Sequence, residues 1–265
     1  MMAIARAAWD YAILILGFTL LGVECFIWGM VSVALFLVLP SKAARKVGRL
    51  GAMWGFRIYL GAMEALGAWR LDLEELDSLA GEGALIVAPN HPCLLDAVLI
   101  VSRLPNAVCV MKGALLGNFL LGPAARLARY VRNDSLLRLV ARAADELGQG
   151  GQLLLFPEGT RTVGDPIGPL TDAVGALSRR SGVPVQTVII EANTDFLGKR
   201  CSVMARPNLP LSYRLRLGRR FDPPKDVRAF TAELDRYFRR ELSTVASAAP
   251  VSDASAVEDA QRLRG

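Results

Sequence analysis

Hydrophobic and polar positions follow two regimes along this chain. Residues 11–39 ("YAILILGFTLLGVECFIWGMVSVALFLVL") form an apolar run interrupted by one charge, Glu24. As a continuous helix the run would be about 43 Å long, against ~30 Å for a hydrocarbon core. It predicts either one strongly tilted membrane span or two shorter helices that dip into one leaflet and turn near Gly22 to Glu24. The run is too long for a cleaved signal, and no small-residue cleavage site follows, so it reads as a retained anchor. Residues 50–69 are also apolar, with only Arg57 and Glu64 charged. They predict a helix lying at the interface or packed on the first segment. Gly51 and Gly55 have the spacing of a helix-packing face.

Beyond residue 70 the pattern changes. Short apolar runs of strand length (84–88, 107–111, 130–132, 153–156, 185–191) alternate with helical stretches (94–104, 118–128, 136–147, 171–180). Such alternation predicts an α/β fold, a mostly parallel sheet with helices on its faces. Residues 70–76 read as an opening strand and 213–217 as a further strand at an edge. Residues 227–242 form an amphipathic helix with Phe230, Leu234, Tyr237, Phe238 and Leu242 on one side. The division is then 1–69, N-terminal membrane-anchoring helices; 70–243, a cytoplasmic α/β domain; and 244–265, an Ala/Ser-rich disordered tail.

Composition sharpens this picture in two places. Hydrophobic residues make up 52% of the chain, and the excess sits in the front segments. The net charge is +6, and Lys42, Arg45, Lys46 and Arg49 directly follow the apolar run. Positive charge there marks the cytoplasmic side of a cell (inner) membrane and suits an anionic leaflet. The arginines are dispersed without interleaved stacking aromatics, which argues against a nucleic-acid partner. Cys25, Cys93, Cys109 and Cys201 are widely spaced beside a single histidine, which disfavours a zinc or iron–sulfur site.

That histidine is His91. It follows the strand-like run 84–88, with Pro92 suited to a first helical position and Asp96 about one turn further on. A base on a corner, steered by a carboxylate on the adjoining element, is what an activated hydroxyl requires. A purely structural His–Asp pair is the plain alternative. In sheets of this kind ligands sit outside the carboxyl ends of the strands. Lys112, Arg132, Glu158 and Arg161 all fall at such ends, as His91 does. The last two belong to "FPEGTR", residues 156–161, on a strand-to-turn junction.

With NHxxxxD and FPEGTR both present, the chain resembles the glycerolipid acyltransferase family, the lysophosphatidate acyltransferases. The first family motif falls on Asn90, His91 and Asp96. The second falls on "RYVRND", with Arg132 as its basic residue; the third is Phe156 to Arg161; the fourth is "GVPVQTVII", with Pro184. Cys93 stands where a serine is common, and "PLTDAV" lacks the basic residue that often follows FPEGTR.

The resemblance implies a glycerol-phosphate acyltransferase-like fold and acyl transfer from a thioester, on coenzyme A or acyl carrier protein, to the hydroxyl of a lysolipid. Lysophosphatidate is the default acceptor, and a non-phosphatidate acceptor stays open. His91 would take the hydroxyl proton and Asp96 would steady the imidazolium. Arg161 and Arg132 would bind the acceptor phosphate, with Lys112 as a further contact. Glu158 would orient Arg161 or an acceptor hydroxyl, and Thr160 would line the substrate site. Gly159 would admit close backbone approach and offer an N–H to the oxyanion. No metal or redox cofactor is implied. One rival is a non-catalytic lipid-binding membrane protein on the same fold. Another makes Cys93 a nucleophile with His91 as its base, although neighbours at a helix start seldom face each other.

Overall fold

The architecture comes from a computed structural model, which describes residues 2–163, 166–194, 196–202 and 204–248. Two long helices open the chain, α1 (Met2–Val38) and α2 (Ser41–Ala65). Strand β1 (Trp69–Asp72) and a 3-10 turn (Glu74–Leu79) lead into β2 (Leu85–Pro89) and the short helix α3 (Asp96–Val101). Then come β3 (Ala107–Lys112), α4 (Gly113–Leu116), α5 (Gly122–Leu127), β4 (Val131–Asn133) and α6 (Leu136–Gly148). Next are β5 (Gln152–Leu154), α7 (Ala173–Ser181), β6 (Val185–Ala192), β7 (Leu211–Phe221) and α8 (Val227–Ala248).

The seven strands form one sheet in the order β1-β7-β6-β2-β5-β3-β4, parallel throughout except where β6 meets β7. Its central strands are buried on both faces, which is why they read as unbroken apolar runs rather than alternations. Val87 faces one core with α3 and the α1–α2 pair, while Ile86 and Ala88 face the other with α6, α7 and α8. Ile13, Leu14, Tyr59, Leu60 and Met63 belong to the first of these cores.

Several expectations need correction. Helix α1 runs unbroken through Gly22 to Glu24, so the re-entrant turn is not there. A single glycine costs a helix only about 1 kcal/mol, and the turn falls instead at Leu39–Pro40, with Pro40 extended ahead of α2. The two helices pair antiparallel: Trp28 covers Gly51, Glu24 reaches over Gly55, and Met63 meets Gly17. A side chain at Gly51 or Gly55 would hold them apart.

Helix α2 also begins well before residue 50 and takes in the basic cluster, two members of which turn inward. Arg49 is 1% exposed and donates to Ala128 O (3.1 Å), Asn106 Oδ1 (2.6 Å) and Glu146. Arg45 reaches Gln149 and Glu146.

The stretch 118–128 is not one helix. Gly117 ends α4, Asn118 Oδ1 accepts the N–H groups of Leu120 and Leu121, and Pro123 opens α5. Strand β7 is not an edge either, since it lies between β6 and β1. Its outward arginines made it look half-solvated, yet Arg216 is engaged by Glu191 and Glu241. Of the expected tail, 244–248 continue α8, and 249–265 lie outside the described residues.

Candidate active site

The site is built where β2 ends. Pro89 closes the strand without an N–H to offer, and Asn90 extends the pairing with its side chain. Its Nδ2 donates to Ile190 O (3.0 Å) and its Oδ1 accepts from Ile190 N–H (2.7 Å). An amide can imitate a backbone pair in this way because it carries both N–H donors and a carbonyl acceptor. The corner that carries His91 is thereby pinned to β6.

His91 Nδ1 lies 2.7 Å from Asp96 Oδ2, and the carboxylate also accepts the Cys93 N–H at 2.8 Å. Asp96 is fully buried, whereas the imidazole keeps 17% of its surface. With Nδ1 occupied inward, Nε2 is the nitrogen left for a substrate. Burial pushes the Asp96 carboxyl above the ordinary carboxylate range, opposed chiefly by its hydrogen bond with His91.

The FPEGTR loop grips the same corner from the β5 side. Phe156 stacks on the imidazole, with ring centroids 3.8 Å apart and planes 20° from parallel. Phe156 to Gly159 form a tight turn, Gly159 N–H donating to Phe156 O at 3.0 Å with Gly159 at φ +66°. That left-handed conformation suits glycine, and Pro157 fits the second turn position. Glu158 is buried beneath. Its Oε1 accepts His91 N–H (3.1 Å) and the Thr162 hydroxyl (2.7 Å), and its Oε2 accepts Gly168 N–H (2.9 Å). Thr162 N–H in turn donates to His91 O at 2.7 Å.

Two expected roles change as a result. Glu158 holds the backbone of the His91 corner; it does not orient Arg161. The Gly159 N–H is spent on its own turn, so no oxyanion donor comes from it.

Arg161 Nη1 donates to Leu197 O (2.8 Å) and Gly198 O (3.2 Å). Among the described residues its Nε and Nη2 have no partner. Leu197 O also accepts Leu94 N–H (3.1 Å), so the carbonyl of this left-handed residue (φ +62°) ties three loops together. Thr160 is half-buried on the same loop as Arg161. Lys112 and Arg132 stand farther off, at the ends of β3 and β4. Counting strands from β2 at ~4.8 Å each, they lie roughly 10 and 14 Å across the sheet. Arg132 is half-exposed, with Asp134 as its partner at 3.8 Å.

Asn90, His91, Asp96, Glu158 and Arg161 are thus brought together, and Lys112 and Arg132 form a separate cationic pair along the same sheet end. Sequence reasoning passed over Phe156 as the platform for the imidazole, although it is the first letter of the motif. Cys93 is poorly placed as a nucleophile: it is buried with Sγ turned to Leu95 N–H and Tyr213, and burial together with the nearby Asp96 charge pushes its thiol up to about 12.

The sequence model of the family described as "Acyltransferase" matches residues 70–191, which contain every one of these groups except the 197–198 carbonyls. That segment is similar to the acyltransferase family. Likeness of fold extends over almost the whole chain. The crystal structure of the 1-acyl-sn-glycerophosphate (LPA) acyltransferase PlsC from Thermotoga maritima superposes with a TM-score of 0.66 at 17% identity. That match covers 94% of this chain and 100% of the other. No curated protein matches it significantly.

Proposed function

We propose that this protein moves a fatty acyl group from a thioester, on coenzyme A or acyl carrier protein, to the hydroxyl of a lysophospholipid, with lysophosphatidate as the first acceptor to test. The observation that carries the reading is the 2.7 Å contact between His91 Nδ1 and Asp96 Oδ2, which leaves Nε2 as the ring's outward base. A lipid hydroxyl does not ionise near neutral pH, so its oxygen attacks the thioester carbonyl as Nε2 takes the proton. Asp96 stabilises the imidazolium that forms. The proton then passes to the departing thiolate, leaving an ester and a free thiol. The hydroxyl belongs to the substrate, so no enzyme nucleophile is required.

Arg161 offers the free nitrogens of a planar, always-charged group to an acceptor phosphate, and Lys112 and Arg132 extend that cationic edge. A narrow apolar cleft, lined by Ile13, Leu14, Phe18, Leu95, Phe196 and Leu197 among others, adjoins the motif turn and offers apolar surface to an acyl chain. The superposed PlsC acts, by its title, on 1-acyl-sn-glycerophosphate, and this supports the choice of acceptor.

Membrane attachment is supported by α1, which over Ile4–Val38 is long and apolar enough to cross a bilayer and is mostly uncovered by protein. Its contacts favour an anchor that lies along the leaflet. Asp10 binds Arg206 (2.8 Å), and Gly29 packs on Leu120 O. These points are about 28 Å apart along the helix, and both belong to loops at the same end of the sheet as His91. A helix crossing the bilayer would leave the domain behind after one such contact. The domain would then face the cytoplasm, with its site against the inner membrane.

Purified enzyme given a panel of lysolipids and both donor types, with products read by mass spectrometry, tests the reading directly. Phosphatidate is expected from lysophosphatidate, with turnover in His91→Ala lower by about 10²–10⁴. Acyl transfer that survives in His91→Ala at the wild-type rate would defeat it.

A further inference from the structure

The carboxylate that steers His91 is held unevenly. Asp96 Oδ2 accepts two hydrogen bonds, from His91 Nδ1 and Cys93 N–H, whereas Oδ1 is buried without a partner among the described residues. A buried, half-satisfied carboxylate keeps its orientation only as well as the turn beneath it keeps its own. Residues 92–95, which form that turn, lead into a helix of six residues, too short to supply much rigidity by itself.

What fixes the turn is Cys93. Its backbone faces Asp96, while Sγ accepts Leu95 N–H at 3.2 Å and lies 3.6 Å from the hydroxyl of Tyr213. Tyr213 arrives from β7, 1% exposed, between Leu71 of β1 and Ala192 of β6. It lies outside residues 70–191, the segment that carries the family motifs. The geometry points to Tyr213 as a positioning residue for the His91–Asp96 pair, acting through the Cys93 thiol. This rests on His91 being the base.

Other ionisable groups converge on this point: His91 and Cys93 on the turn itself, Glu158 behind His91, Tyr213 from the sheet and Tyr59 from α2. Burial raises both the Cys93 thiol and the Tyr213 phenol, so each stays neutral. They act as hydrogen-bonding groups and add no charge beside the carboxylate. Serine in place of Cys93 keeps a hydroxyl able to bridge Tyr213 and the turn; alanine does not.

The test uses the full-length enzyme and four variants: Tyr213→Phe, Cys93→Ala, Cys93→Ser and the double variant Tyr213→Phe/Cys93→Ala. Tyr213→Phe conserves volume and should lower kcat about five- to tenfold, the size of one neutral hydrogen bond, with both KM values unchanged. The acid limb of its kcat profile should move to lower pH, because a loosened carboxylate stabilises the imidazolium less. Cys93→Ala should reproduce both effects, Cys93→Ser should restore most of the rate, and the double variant should be no worse than either single one. Unchanged kcat and pH profile in Tyr213→Phe would overturn the proposal, as would a lower Tm with no movement of the profile. His91→Ala serves as the control: wild-type turnover in that variant would instead refute the reading of His91 as base.

Discussion

Asp96 shows a cost that function imposes on folding. Its carboxylate is fully buried with one oxygen unpaired, and burial raises its pKa above the ordinary value. Folding therefore favours the neutral acid, and the protein loses stability as pH rises through the folded-state value. Asp96→Asn removes the charge while keeping an acceptor for His91. Melting curves are expected to show a Tm at pH 8 no lower than wild type, with any gain shrinking on acidification. Turnover should fall sharply, as it does by about 10⁴ when the Asp of a Ser-His-Asp triad is so replaced. A fall in Tm that matches the loss of activity would make Asp96 structural.

Glu158 invites a second test at this scale. Both its oxygens accept protein N–H or O–H groups, so Glu158→Gln sets an amide against a donor, at a cost of about 1–3 kcal/mol. Its effect should appear in kcat through a displaced His91, with the KM for a phosphorylated acceptor unchanged; a raised KM would put Glu158 on the substrate. The letters of both motifs were legible in the sequence, and so was their convergence. The duties of Glu158 and Gly159 were not, because they depend on where backbone N–H groups point, and no residue pattern encodes that.

At the scale of elements, the strands read well where burial on both faces made an unbroken apolar run, as in β2 and β6. Readings failed where neighbours outside the local window decided the outcome. Strand β7 looked like an edge because Arg214 and Arg216 alternate with Tyr213 and Leu215, and only the tertiary arrangement reveals Glu191 and Glu241 opposite Arg216. Arg49 misled in the same way. In the sequence it belongs to a flank of positive charge, but in the fold it is a strut joining α2 to Glu146 of α6 and to the loops at Asn106 and Ala128. Arg49→Met should cost about 3 kcal/mol in chemical denaturation, because Glu146 loses a buried partner. Adding Glu146→Leu should recover much of that loss. A single variant as stable as wild type would mean that Arg45 alone satisfies Glu146.

For the whole molecule, composition pointed to an apolar anchor and left its posture open. Hydropathy reports how apolar a helix is and is blind to which side rests on protein. The contacts at Asp10, Gly17 and Gly29 hold one side of α1 against the domain or α2, while Ile4, Ile15, Ile27 and Val38 remain exposed. The two postures separate in a depth measurement. Single spin labels at those four positions, in an enzyme lacking Cys25 and Cys201 and reconstituted in vesicles, report immersion from their accessibility to oxygen and to a water-soluble relaxant. A spanning helix would pass from one headgroup region through the bilayer centre to the other, so its middle labels would be deepest. A helix lying along the leaflet should give similar, shallow depths at Ile4, Ile15 and Ile27, because the loops bound at Asp10 and Gly29 cannot enter hydrocarbon with their backbone polar groups unpaired. A maximum near Ile15 or Ile27 at bilayer-centre depth would reject the in-plane anchor. The His91 corner would then have to meet its lipid acceptor some other way than from the leaflet beneath α1.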